Sequence, residues 1–168
     1  TFLKVKLDVL RLVDEGLRNG YLLHPDDMRM CACKLEVIDD DMRRNPEATR
    51  IFLDLLLKNG NPERGLRRMN ELGVLAAFIP EFAPIVAMMQ FNMYHSYTVD
   101  EHTIQVVSAL AQIEREELTE ELPIASGILK SGVNRRVIYL ACLLHDIGKG
   151  RKEDHSILGA RIARAVCP

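Results

Sequence analysis

The sequence has no apolar run near the roughly 20 residues that a membrane-spanning helix needs, so no segment is expected to cross a bilayer. It has no dense basic run either, and 22 basic against 24 acidic residues leave a formal net charge of −2. That balance argues against nucleic-acid binding driven by overall charge. Cysteine is sparse: Cys31, Cys33, Cys142 and Cys167. Cys31 and Cys33 stand two apart, so on a helix they point in different directions. Neither belongs to the C-x-x-C pair of a zinc ribbon or redox motif. A cysteine metal site is therefore not expected, and the thiols read as reduced and cytoplasmic. There is no internal repeat, no low-complexity tract and no segment that alternates as a half-buried strand would. What is present is helical signal. With 168 residues, 48% of them apolar, the chain suits one domain or two small ones with a sizeable core.

Phe2 to Asn19 carries Phe2, Val5, Val9, Leu12, Val13 and Leu17 at helical spacing, with Gly20 as the stop. Pro25-Asp26-Asp27 opens a second helix, expected to run to about Met42, with proline early and acids in its first turn. Asn45-Pro46-Glu47 starts a third that ends at Asn59-Gly60, and Asn61-Pro62-Glu63 a fourth that stops near Gly73. Val74 to Met89, interrupted by Pro80 and Pro84, predicts short helical turns in the core. Gln90 to Asp100 reads as a connector.

Thr98 with Glu101 then fits a capping box. It opens a long helix whose inward face is Val99, His102, Val106, Leu110 and Ile113. Glu114 to Glu121 is acidic and solvated, and Leu122 to Val133 reads as a loop with room for one short helix. Asn134 caps a helix through Val137. Asp154 caps the last, His155 to Val166, with Ile157, Leu158, Ile162 and Val166 as its apolar face. The expectation is all-α, with a boundary near Met89 to Tyr94. The chain begins at Thr1 and stops at Cys167-Pro168 inside an expected helix, so it reads as a piece of a longer protein.

The chemistry gathers at Val137 to Gly150, VIYLACLLHDIGKG. An apolar stretch of this length without Gly or Pro predicts a buried helix. It ends by delivering an imidazole, His145, beside a carboxylate, Asp146. Burying such groups is costly unless they are hydrogen-bonded, charge-paired or metal-bound. His102 lies on the inward face of the preceding long helix. If the two helices pack together, His102 meets His145 and Asp146. Two imidazoles and a carboxylate suit Mn, Fe, Zn or Mg, and such a metal lowers the pKa of bound water. Lys149, one turn after His145, the His155 ring and the amides opening the last helix could then hold a phosphate. Each part alone has a plainer explanation: a lone inward histidine is usually a hydrogen-bonded core residue, Asp154 is an N-cap rather than a ligand, and His24 is a solvated turn residue. The combination favours a site.

His102 followed by His145-Asp146 resembles the opening of the HD metal-dependent phosphohydrolase superfamily, whose pattern is His, then His-Asp, then a distant Asp. More narrowly, MQFNMYHSYTVDEHT (Met89 to Thr103), LLHDIGKG (Leu143 to Gly150) and DHSILGA (Asp154 to Ala160) resemble the family of bifunctional uridylyltransferase/uridylyl-removing enzymes that modify the PII signalling protein. The resemblance implies a helical linker over residues 1–89 and the first part of an HD domain over 90–168. It implies His102, His145 and Asp146 as ligands of Mg or Mn, Lys149 as a phosphate contact and His155 as a lining residue. The final Asp ligand would lie beyond Pro168, leaving the isolated piece without a complete site and not expected to be active. The implied reaction is removal of UMP from a PII tyrosine. Glutamine would be sensed through domains elsewhere, and neither membrane nor nucleic acid would be a partner. Two other readings remain open: another HD phosphohydrolase acting on nucleotides or nucleic-acid ends, and a non-catalytic helical scaffold.

Overall fold

The computed structural model describes residues 2–19, 24–58, 60, 62–89 and 97–167. In chain order its helices are α1 (Phe2–Arg18), α2 (Pro25–Cys33), α3 (Asp40–Arg43), α4 (Pro46–Leu57), α5 (Pro62–Glu71), α6 (Val74–Phe78), α7 (Val99–Glu114), α8 (Pro123–Lys130), α9 (Arg135–Leu144) and α10 (His155–Val166). Three-residue-per-turn segments cover Leu35–Val37 and Pro80–Ile85, the latter being the predicted short turns. No strand forms among the described residues, beyond one isolated antiparallel bridge between Met89 and Thr98. The all-α expectation stands. The stop at Gly20, the Asn59 and Asn61 signals and most of the predicted connector, including His95, fall outside the described residues.

Helix starts follow local capping. The Asn45 side chain accepts from the amides of Glu47 and Ala48, at 2.8 and 3.3 Å. Asn134 accepts from Val137 at 3.2 Å, and Asp154 from Ser156 and Ile157 at 2.9 and 3.1 Å. Each oxygen satisfies amides that no preceding turn can reach. His24 is exposed as expected, yet it also caps α2, its Nδ1 accepting from Asp26 at 3.3 Å.

The second helix is shorter than expected. It ends at Cys33 instead of continuing to Met42, because Asp39 starts a new helix by accepting from the Met42 amide at 3.1 Å. Arg43 then donates to the carbonyl of Ile38, beside the break, and to that of Ala77 in α6, both at 2.8 Å. The capping box at the start of α7 also fails to form. Thr98 has the N-cap backbone but makes no side-chain capping bond, and the Glu101 carboxylate is taken by Arg67 and Gln105.

The core is one cluster. Leu10 and Val13 of α1, Leu55 and Leu56 of α4, Leu66 and Met69 of α5, Phe82 and Ile85, Ile104 and Val107 of α7 and Leu143 of α9 are all nearly or fully buried. Helix α7 packs against α5 on one side and α9 on another. Covered from two directions, it buries Val99, Thr103, Ile104, Val107, Leu110 and Ala111. The predicted stripe through His102, Val106 and Ile113 is therefore a half-buried flank of that face rather than its centre. The helix through Val137 is likewise not buried all round: Tyr139, Leu143 and Leu144 face inward, while Val137 is 61% exposed. On α10, Leu158 and Ile162 are buried but Ile157 is exposed.

Glu114, expected to be solvated, instead ties the end of α7 to the start of α9. Arg135 donates to its carboxylate at 2.9 Å and the Tyr139 hydroxyl at 2.8 Å. The Arg135 hydrogen bond, helped by that of Tyr139, holds the Glu114 carboxyl below its usual range against the effect of burial. Burial, and then the bond to Glu114, pushes the Tyr139 phenol up to about 12. A raised phenol pKa favours the folded state below the unfolded value of about 10, and this contribution is lost as pH climbs towards the folded value. Subtracting a Tyr139→Phe titration at 295 nm from that of the native chain should leave one phenol with a midpoint near 12. A midpoint near 10 would contradict the buried pairing.

Candidate metal centre

The packing of α7 on α9 decides the site. His102 stands in the first turn of α7, and His145 directly follows the last residue of α9. Their ring centroids lie 5.5 Å apart at an interplanar angle of 67°. Asp146 Oδ2 is 3.2 Å from His145 Nε2 and 3.9 Å from His102 Nε2. The donor atoms of the three residues all lie within 4.8 Å of one another, the one such group of His, Cys, Asp and Glu among the described residues. Two donors each about 2.1 Å from a shared ion sit roughly 3–4.2 Å apart, so the separations of Asp146 Oδ2 from the two imidazoles, 3.2 and 3.9 Å, suit a shared cation.

The imidazole of His145 is oriented from behind. Its Nδ1 lies 2.7 Å from the Cys142 carbonyl oxygen. A carbonyl only accepts, so Nδ1 carries the proton, and in the neutral ring Nε2 presents its lone pair to Asp146. Two acceptors facing each other at 3.2 Å repel unless a proton or cation stands between them. The donor set and this confrontation both fit a divalent metal.

Asp146 is nearly buried, its side chain 9% exposed, because Ile147 beside it is fully buried and draws the turn into the core. Lys149 follows one turn after His145 and donates to the same Oδ2 at 2.8 Å. Gly148 and Gly150 let this turn pass close to its neighbours. A Cβ on Gly148 would lie 2.2 Å from the His155 carbonyl oxygen. Gly150 has φ +77°, a left-handed conformation that suits glycine. His102, His145, Asp146 and Lys149 are thus brought together as predicted. His155 opens α10 beside the turn through its backbone, with its side chain exposed, and is not one of the three donors. The Cys142 carbonyl was missed by sequence reasoning. Its only signal was its place three residues before His145, where a ring can reach back to the preceding turn. A cavity of about 290 Å³ lined by Leu110, Ser126, Leu129 and Tyr139 lies towards the other end of α7 and takes no part.

A helical unit with a His…His-Asp donor set is the signature of an HD domain, and residues 99–167 match the HD domain family. Residues 17–78 match the family described as the uridylyltransferase GlnD third domain. The chain is 72% identical over 167 residues to the bifunctional uridylyltransferase/uridylyl-removing enzyme of Ruegeria pomeroyi, 69% to that of Cereibacter sphaeroides over the same length, and 51% over 162 residues to that of Azospirillum brasilense. These alignments take in 99%, 99% and 96% of the chain. The chain is therefore a homologue of one stretch of the bifunctional uridylyltransferase/uridylyl-removing enzymes, and it spans 17–18% of the length of these curated relatives. No solved structure matches it to significance. No described helix is long and apolar enough to cross a membrane.

Proposed function

We propose that this chain carries the uridylyl-removing site of a bifunctional, cytoplasmic enzyme, with residues 1–89 as helical linker and 90–168 as the first part of the HD domain. The reaction is hydrolysis of the phosphodiester between UMP and a tyrosine of the PII signalling protein. Water adds to phosphorus, the bond to the tyrosine oxygen breaks, and UMP and free tyrosine leave. Glutamine would act through parts of the protein outside this chain.

The observation that carries this reading is the convergence of His102, His145 and Asp146 donors within 4.8 Å, with the Lys149 ammonium on the same carboxylate. His102, His145 and Asp146 would hold Mg or Mn, which supplies positive charge to a phosphoryl oxygen and acidifies water. The Cys142 carbonyl keeps the His145 donor aimed inward. Lys149, whose ammonium lies 2.8 Å from Asp146 Oδ2, would meet a phosphate oxygen and offset charge that builds there. His155, at the mouth of the turn, would line the substrate side.

In the full-length protein, His145→Ala and Asp146→Ala should each lower UMP release from uridylylated PII by more than about 100-fold. Uridylylation of PII, which the HD domain does not perform, should persist. Unchanged UMP release would remove these residues from the reaction. Release from other phosphoesters but not from PII would point to a different HD phosphohydrolase.

A further inference from the structure

We infer that α5 sets the rotation of α7 about its own axis, which makes Arg67 and Asn70 positioning residues for the ligand His102. The inference rests on the metal reading of His102 and extends it to a helix that contributes no donor. Three polar ties join the two helices. Asn70 donates to Asp100 Oδ2 at 2.8 Å. Arg67 donates through one Nη to Glu101 Oε2 at 2.5 Å and through the other to Glu63 Oε1 at 2.8 Å. The Ser108 hydroxyl donates to Glu63 Oε2 at 2.5 Å. Asp100 and Glu101 immediately precede His102, and Ser108 lies almost two turns beyond it.

Elsewhere α7 is held at its two ends, where the Val99 amide donates to the Met88 carbonyl and Glu114 accepts from Arg135 and Tyr139, while Ile104, Val107 and Ala111 pack apolar between them. Apolar contact is non-directional and resists rotation weakly. Directional bonds on both sides of His102 resist it strongly. The tolerance is narrow. A ring carried about 6 Å from a helix axis moves roughly 2 Å for a rotation of about 20°, whereas metal–ligand distances hold within about 0.2 Å. Arg67 and Asn70 belong to the stretch that matches the GlnD third-domain family, and His102 to the stretch that matches the HD family. A ligand of the second stretch is thus held in place by the first.

The test compares Arg67→Ala, Asn70→Ala and the conservative Arg67→Lys in the 168-residue chain. One readout is the long-range proton–nitrogen imidazole spectrum of the metal-free protein, the other Mn²⁺ binding by calorimetry. Arg67→Ala should move the His102 ring signals, leave those of His145 in place, and weaken Mn²⁺ about 10-fold. Arg67→Lys should recover part of both effects. Unmoved His102 signals with native Mn²⁺ affinity would overturn the inference while leaving the metal reading intact. Should the unsubstituted chain bind no Mn²⁺, one ligand being expected beyond Pro168, the metal reading is judged by UMP release from the full-length variants and the imidazole spectra alone decide whether α5 positions His102. Equal displacement of both histidines would show general loosening and overturn the inference. If Arg67→Ala loses helical circular dichroism, Asn70→Ala decides between the same outcomes.

Discussion

Asp146→Ala should lower the affinity of the chain for Mn²⁺ by at least about 100-fold, more than the loss of either histidine. Asp146 is the only anionic donor of the three, and its Oδ2 is where the others converge: His145 at 3.2 Å, His102 at 3.9 Å and Lys149 at 2.8 Å. Removing it takes away one ligand and also the counter-charge to the Lys149 ammonium, which would then repel an incoming cation. Losing His102 removes one neutral donor and leaves that electrostatic balance unchanged. Asp146→Asn, which keeps the shape but not the charge, should lie close to Asp146→Ala. Calorimetric titration with Mn²⁺ across His102→Ala, His145→Ala, Asp146→Asn and Asp146→Ala checks the order. Native affinity in Asp146→Ala would show that the cation, if any, binds elsewhere.

Gly148→Ala should destabilise the fold by about 3 kcal/mol, at the upper end of what overpacking costs. The new methyl group would sit 2.2 Å from the His155 carbonyl oxygen and 2.8 Å from the Gly159 nitrogen. Both are backbone atoms and cannot retreat as the tip of a long side chain would. The turn carrying Asp146 and Lys149 and the first turn of α10 must therefore separate, so the site should loosen along with the fold. Gly127→Ala is the control. It lies within α8 with nothing inside 4 Å of its would-be Cβ, so alanine there should stabilise by up to about 1 kcal/mol. Urea unfolding of the two variants measures the contrast. Changes of the same sign and size would show that the close approach at Gly148 is readily relieved.

Much of the fold was legible because it is written in local hydrogen bonding. Asn45, Asn134 and Asp154 cap their helices as read, and α10 runs from His155 to Val166 as expected. The same locality misled at α2, where a start signal at Pro25 carried the expected helix to about Met42, but the helix ends at Cys33 and Asp39 caps a separate one. At Thr98 the pattern of a capping box was present, but Glu101 had a better partner in Arg67, 34 residues away.

By itself, the sequence determined the chemistry on offer: an imidazole, then an imidazole beside a carboxylate, with a lysine one turn later and glycines where the chain must turn. It also determined where most helices begin, since a capping side chain and the amides it serves are neighbours along the chain. Tertiary structure alone decided how far α7 is rotated, that α9 shows one side to solvent, and that His102 meets His145 and Asp146. Those outcomes depend on neighbours distant in sequence, α5 and α9 flanking α7 and α7 lying against α9. Spacing along one helix says that residues share a face, but only the helices packed against it decide which way that face points.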